Sequence, residues 1–81
     1  MIKIYSTTWC GPCKSAKQLL ESLGLVYEEI DIEEAGISRQ KLMELTGGMT
    51  VPQIIIDGKS IGGFDKLIKL NQSGDLERMI K

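Results

Sequence analysis

The chain has no histidine and only two cysteines, Cys10 and Cys13, among its 81 residues. A Cys–His protease is therefore excluded. A tetrahedral zinc site needs four ligands, usually Cys or His, so this chain falls two short unless carboxylates are recruited, and no metal is expected. A basic face is also missing. Lys and Arg number 10 against 11 acids, net charge is −1, and like charges do not cluster in a run. Nucleic acid is not expected as a partner, since it would want such a face. No apolar stretch approaches the roughly 20 residues that span a bilayer, so no membrane association is expected. The opening Met1-Ile2-Lys3-Ile4-Tyr5 runs straight into a strand pattern. No signal peptide is expected from it, which points to the cytoplasm, where structural disulfides are rare. A Cys-x-x-Cys pair in that setting, with metal and protease chemistry set aside, leaves redox chemistry.

What is present fits one small soluble domain, residues 1–81, with 42% hydrophobic and 26% charged residues. A chain this short buries only about 60–65% of its unfolded surface, so a disulfide or a ligand matters to its stability. Residues 2–6 alternate and read as a strand. Residues 11–23 read as a helix, with Ala16, Leu19, Leu20 and Leu23 on one stripe and Gly24 as its stop. Residues 25–32 read as a second strand. Ser38 caps a short helix reaching Thr46, with Leu42 and Leu45 inward. Residues 53–57 hold three consecutive Ile, as in a strand buried on both faces, and Asp57-Gly58 turns the chain into a hairpin. Phe64, Leu67 and Ile68 start a third helix, and Leu76, Met79 and Ile80 mark a final helical turn. The order β-α-β-α-β-β-α predicts an α/β fold, a four-stranded mixed sheet flanked by helices on both faces, with a right-handed first crossover.

Trp9-Cys10-Gly11-Pro12-Cys13-Lys14 sits where the first strand hands over to the first helix. Unpaired N–H groups and the positive dipole end at a helix start stabilise a thiolate. A free thiol with a pKa of about 8.5 is only about 3% ionised at pH 7, whereas a pKa of about 7 makes it about half ionised. Cys10, just before the helix, is the expected attacking thiol. Cys13, one turn in and shielded, is placed to attack a mixed disulfide on Cys10. Pro12 suits the first helical turn, where it has no N–H to lose.

Two further segments carry signals. Pro52, in Thr50-Val51-Pro52-Gln53, begins a buried strand, because proline cannot lie within the ladder. A cis Val51–Pro52 bond would free the backbone of Val51 to pair with an extended peptide; a plain strand-start proline is the alternative. In Ile61-Gly62-Gly63-Phe64-Asp65, the glycines permit close backbone approach. Asp65 reads foremost as the N-cap of the third helix, or else as a ligand for a substrate amine. Trp9 is either a platform for a substrate peptide or a cover for the sheet end. Lys14 and Lys17 read chiefly as solvated lysines, with a lowered Cys10 pKa as the other reading. Glu28, Glu29, Asp31, Glu33 and Glu34 read as a solvated edge, and Met43, Met49 and Met79 as packing.

Cys10-x-x-Cys13 after the first strand, Thr50-Val51-Pro52, and Gly62-Gly63-x-Asp65, in this order and spacing, resemble the glutaredoxin family across essentially the whole chain. The resemblance implies a thioredoxin fold, a cis Pro52, and glutathione as co-substrate against Val51, with no bound cofactor. It would place Asp65 near the γ-glutamyl amine of glutathione, Arg39 near its glycine carboxylate, and Thr50 and Gly63 beside it. The departures matter. Trp9-Cys10-Gly11-Pro12-Cys13-Lys14 is similar to thioredoxin instead. Thr7 stands where glutaredoxins often carry Lys, Pro12 replaces their Tyr, and Ile4 occupies the place of the buried Asp of thioredoxins. The expected function is reduction of protein and glutathione mixed disulfides by a monomer. One alternative is a thioredoxin-like donor, for example to ribonucleotide reductase, that is reduced by thioredoxin reductase. The other is a scaffold holding an Fe–S cluster between two chains through Cys10, which would need thiolates from elsewhere.

Overall fold

Ile2 and Ile4 alternate with Lys3 and Tyr5, and the alternation sets the first element. In the computed structural model, which describes residues 1–80, this is β1 (Ile2–Ser6), with Ile2, Ile4 and Ser6 buried. The remaining elements are α1 (Gly11–Ser22), β2 (Glu28–Asp31), α2 (Arg39–Thr46), β3 (Gln53–Ile56), β4 (Lys59–Gly62), α3 (Phe64–Ser73) and α4 (Asp75–Met79). The strands form one sheet in the order β2-β1-β3-β4. β1 and β2 are parallel, while β1–β3 and β3–β4 are antiparallel.

Register builds the core. Ile2 opposes Ile56 and Ile4 opposes Ile54, which places four Ile on one face. Ala16 and Leu20 of α1, Leu67 of α3 and Leu76 of α4 pack on that face to complete a single cluster. The other face carries α2, whose C-terminal end brings Gly48 against the Gln53 side chain. Asp57 (φ 49°) and Gly58 (φ 82°) both take left-handed conformations, the requirement of a two-residue I′ hairpin turn.

Several boundaries differ from the sequence expectation. β2 is four residues, not eight, because it is an edge strand paired only with β1, from Lys3↔Glu28 to Ser6↔Asp31. Leu25 and Tyr27 pack against the core from the connection instead, while Val26 is solvent-exposed. Leu23, expected inward, is 42% exposed, since α1 ends at Ser22 and Leu23 is its C-cap. Leu45, also expected inward, is 44% exposed. The buried stripe of α2 is Leu42 and Thr46, one turn apart, and the Thr46 hydroxyl donates to the Leu42 carbonyl at 2.8 Å. Ser38 does cap α2, its Oγ accepting from the Lys41 N–H at 3.1 Å.

Candidate active site

Because β1, β2 and β4 run the same way and β3 runs opposite, the ends of the first three and the start of the fourth share one sheet edge. Four connections therefore converge: residues 7–10, 32–38, 47–52 and the turn into α3. Cys10 is the N-cap of α1, with extended backbone, and its Sγ accepts the Cys13 N–H at 3.1 Å. Cys10 and Cys13 are joined as a disulfide with Cα atoms 5.2 Å apart. Cys13 has no exposure and Cys10 has 9%, so an incoming group meets Cys10 first. Gly11 and Pro12 form the exposed first turn. A Cβ at Gly11 would meet open space, so close packing does not demand glycine there.

The Val51–Pro52 bond is cis. Pro52 is buried, Thr50 is exposed, and the Val51 carbonyl oxygen lies 3.6 Å from Cys10 Sγ. Gly63 approaches the Pro52 carbonyl closely enough that an added Cβ would stand 3.4 Å from it. A cleft of about 370 Å³ runs from Pro12 past Thr50, Val51 and Pro52 to Gly63 and Asp65. The structure thus brings together six of the expected site residues beside the disulfide.

Other expectations need correction. Asp65 is not the N-cap of α3. Gly63 holds that position, with no side-chain cap bond, and Asp65 sits exposed in the first turn. A carboxylate there still complements the helix dipole, and it faces the cleft. Arg39, at the start of α2, does not line the cleft; its Nη1 donates to the Met49 carbonyl at 3.1 Å. Lys14 is exposed and also outside the cleft walls. Lys17 is tied to Glu29 at 2.7 Å. That bond, with a second from Ser6 Oγ at 2.8 Å, holds the Glu29 carboxyl below its ordinary range despite partial burial. The acidic cluster is thus more than a solvated edge. Asp31 Oδ1 accepts the N–H groups of Glu33 and Glu34, at 2.9 and 3.3 Å. Glu33 accepts the Trp9 indole N–H at 3.2 Å, and Trp9 remains 65% exposed.

One group at this edge, and the burial of another, escaped the sequence reading. Lys66 shares the cleft with Asp65; its place in the first turn of α3, one residue on, was the available signal. Thr7 is buried with its hydroxyl unpartnered, and only tertiary packing discloses that. Among the described residues no group of three His, Cys, Asp or Glu side chains is arranged to hold a metal ion. Chemically the arrangement offers one sulfur, on the less buried cysteine, with an N–H donor on it, a second sulfur one helical turn behind, and an adjoining cleft.

Comparison with known proteins agrees with this geometry. The glutaredoxin family model matches residues 2–61. The chain is 45% identical over 83 residues to glutaredoxin-C5, chloroplastic, of Arabidopsis thaliana, covering 98% of this chain and 48% of that protein, so it spans about half that relative's length. It is 38% identical over 80 residues to glutaredoxin 3 of Escherichia coli K12, covering 99% of this chain and 96% of that one. Among solved structures, a buckwheat glutaredoxin–glutathione complex superposes with a TM-score of 0.88 at 34% identity, covering 98% of this chain and 74% of that one. Glutaredoxin from Brucella melitensis gives 0.84 at 34% identity, with 99% and 87% covered. Glutaredoxins are thiol–disulfide oxidoreductases, the chemistry that Cys10 and Cys13 are spaced for. On its sequence, its fold and the arrangement of its cysteines, the chain belongs to the glutaredoxin family.

Proposed function

We propose that the chain reduces glutathione mixed disulfides and protein disulfides by a dithiol mechanism. One observation carries the reading: the Cys13 N–H donates to Cys10 Sγ at 3.1 Å while Cys13 is fully buried and Cys10 is not. A hydrogen bond to the charged form favours it, so this donor stabilises a Cys10 thiolate. The thiolate attacks one sulfur of the substrate disulfide. A Cys10–substrate disulfide forms, and the other substrate sulfur leaves as a thiolate that takes a proton from water. Cys13, deprotonated, then attacks Cys10 Sγ, releases the second substrate thiolate, and closes the Cys10–Cys13 disulfide. Two glutathiones restore the dithiol and leave as glutathione disulfide, so two electrons pass in each half. Glutathione is a co-substrate here, and no resident cofactor takes part. The cleft beside Val51 supports its binding, with Asp65 offering a carboxylate to the γ-glutamyl amine and Thr50, Pro52 and Gly63 forming the walls. We extend the proposal to a monomer acting in the cytoplasm.

A second reading, with thioredoxin reductase as the reductant, is favoured by the carboxylate end of that site. Thr7 supplies no cation, and one Arg39 nitrogen is engaged by the Met49 carbonyl. Turnover of a glutathione-capped peptide separates the two readings. With glutathione and glutathione reductase, Cys13→Ser is expected to retain turnover, since a second glutathione resolves Cys10, while Cys10→Ser loses it by about a hundredfold or more. Efficient coupling to thioredoxin reductase, with none to glutathione, would replace the first reading by the second.

A further inference from the structure

Glutathione carries one amine and two carboxylates, and the cleft as described so far answers the amine alone, through Asp65. Lys66, the next residue, is the one cation lining that cleft among the described residues. Thr7 has no charge, and Arg39 and Lys14 lie outside the walls. The backbone sets where the Lys66 stem runs. Gly62 (φ 98°) ends β4, and a Cβ added there would stand 3.1 Å from Lys66 Cγ and 3.6 Å from its Cβ. The bare glycine thus lets the lysine stem lie against the end of β4, at the cleft wall. Lys66 also borders a neighbouring groove, but Lys69, three residues on along α3, borders it too, and like charges at that spacing disfavour that side. Asp65 draws the ammonium the other way. Among the described residues neither the Lys66 ammonium nor the Asp65 carboxylate has a protein partner, and both residues are exposed. The cleft therefore presents an unpaired cation and an unpaired anion on successive residues.

We propose that Lys66 is a specificity-determining residue that takes the α-carboxylate of the γ-glutamyl group, so that Asp65 and Lys66 together read an α-amino-acid head as a zwitterion. This role rests on glutathione as the co-substrate and adds the second charge of its head group. In a γ-glutamyl group the free amine and the free carboxylate sit on one carbon. A pose that brings the amine to Asp65 therefore brings the carboxylate within reach of the lysine one residue on. A long flexible stem ending in a compact charge with three donors suits a head group that approaches from solvent. The pair also rejects half-ligands. A head with only the amine loses the attraction of Lys66 and keeps its repulsion, and a head with only a carboxylate meets the same fate at Asp65. Protein segments carry no backbone carbon with both a free amine and a free carboxylate, so the pair favours the small thiol over a peptide. The glycine carboxylate lies at the opposite end of the tripeptide, away from this lysine.

The test reacts the full reduced chain, in single turnover, with one cysteine peptide capped as a mixed disulfide in four ways. The caps are glutathione, its analogue with γ-aminobutanoyl in place of γ-glutamyl, which keeps the amine and lacks the α-carboxylate, glutathione ending in glycinamide, and mercaptoethanol. The wild type should favour glutathione over the γ-aminobutanoyl cap by about threefold to tenfold in rate constant, and added salt should shrink that ratio. Lys66→Ala should bring the ratio to about one, Lys66→Arg should keep it, and Lys66→Glu should invert it. The ratio of glutathione to its glycinamide form should be the same in the wild type and in Lys66→Ala. A wild-type preference of about one would overturn the proposal. Equal slowing on every cap in Lys66→Ala, which leaves the ratio at its wild-type value, would mark a structural lysine and overturn it too. A change confined to the glycinamide ratio would assign Lys66 to the other carboxylate, against the proposal. A wild type that reacts no faster with the glutathione cap than with mercaptoethanol would instead defeat the glutathione reading itself.

Discussion

The Tyr27 hydroxyl donates to a Glu21 carboxylate oxygen at 2.6 Å, and the consequence is a titration far from the usual one. That bond, then burial, pushes the Tyr27 pKa from 10.0 up to about 12. The folded pKa lies above the unfolded one, so the stabilisation is complete below about pH 10 and is lost as pH rises towards about 12. Phenolate absorbance of the folded protein should therefore show Tyr27 titrating well above the ordinary tyrosine value of 10.0. Glu21→Ala, which removes the largest cause, should return it towards the ordinary value, and an unchanged midpoint would contradict the assignment. Contacts of this kind explain what the sequence could not disclose at single positions. The spacing of Cys10 and Cys13 is local and was legible. The partner of Arg39 is a carbonyl ten residues away, and that of Trp9 a carboxylate twenty-four residues away. Asp65 was misread as a cap because the helix start shifts by a residue or two without changing the sequence pattern.

At the scale of elements, helix starts organise both stability and chemistry. Ser38 caps α2 next to Arg39, the first residue of that helix. Ser38→Ala should cost about 1 kcal/mol, read from the urea midpoint with an unchanged slope. No loss would mean that tertiary packing alone holds α2. At the start of α1, Pro12 occupies one of the two helical positions whose N–H groups ordinarily reach an N-cap acceptor, here Cys10 Sγ. Only the Cys13 N–H remains as a backbone donor to that sulfur. Fewer donors stabilise the thiolate less, which favours the disulfide and lowers the reduction potential. The expected potential falls below the glutaredoxin range of about −200 to −230 mV, towards about −270 mV for thioredoxin, and Pro12→Tyr should raise it. Equilibration against glutathione buffers, then alkylation and mass measurement, reads both values. A wild-type potential at or above about −200 mV, or a downward shift in the variant, would contradict this account. Elements with a strong period, β1, α1 and the Asp57-Gly58 hairpin, were legible. The eight-residue reading of β2 failed because an edge strand extends only as far as its neighbour pairs with it.

For the molecule as a whole, the strand order β2-β1-β3-β4 gathers the site at one edge of the sheet. The cysteine loop after β1, the Glu33 connection after β2, the Val51–Pro52 segment before β3 and the turn after β4 meet there because of strand direction. The separate resemblances of three short motifs pointed to this assembly, and the packing turns them into one cleft beside one sulfur. The central claim is that this edge leaves Cys10, with 9% exposure, within reach of a substrate sulfur and withholds Cys13, with none. Mixed-disulfide formation with a glutathione-donating disulfide, followed by mass measurement on the two single-cysteine variants, tests it most directly. Cys13→Ser should take up one glutathione rapidly at Cys10, while Cys10→Ser should take it up at Cys13 slower by about a hundredfold or more. Comparable rates at the two cysteines, or faster uptake at Cys13, would contradict the assignment of Cys10 as the attacking thiol.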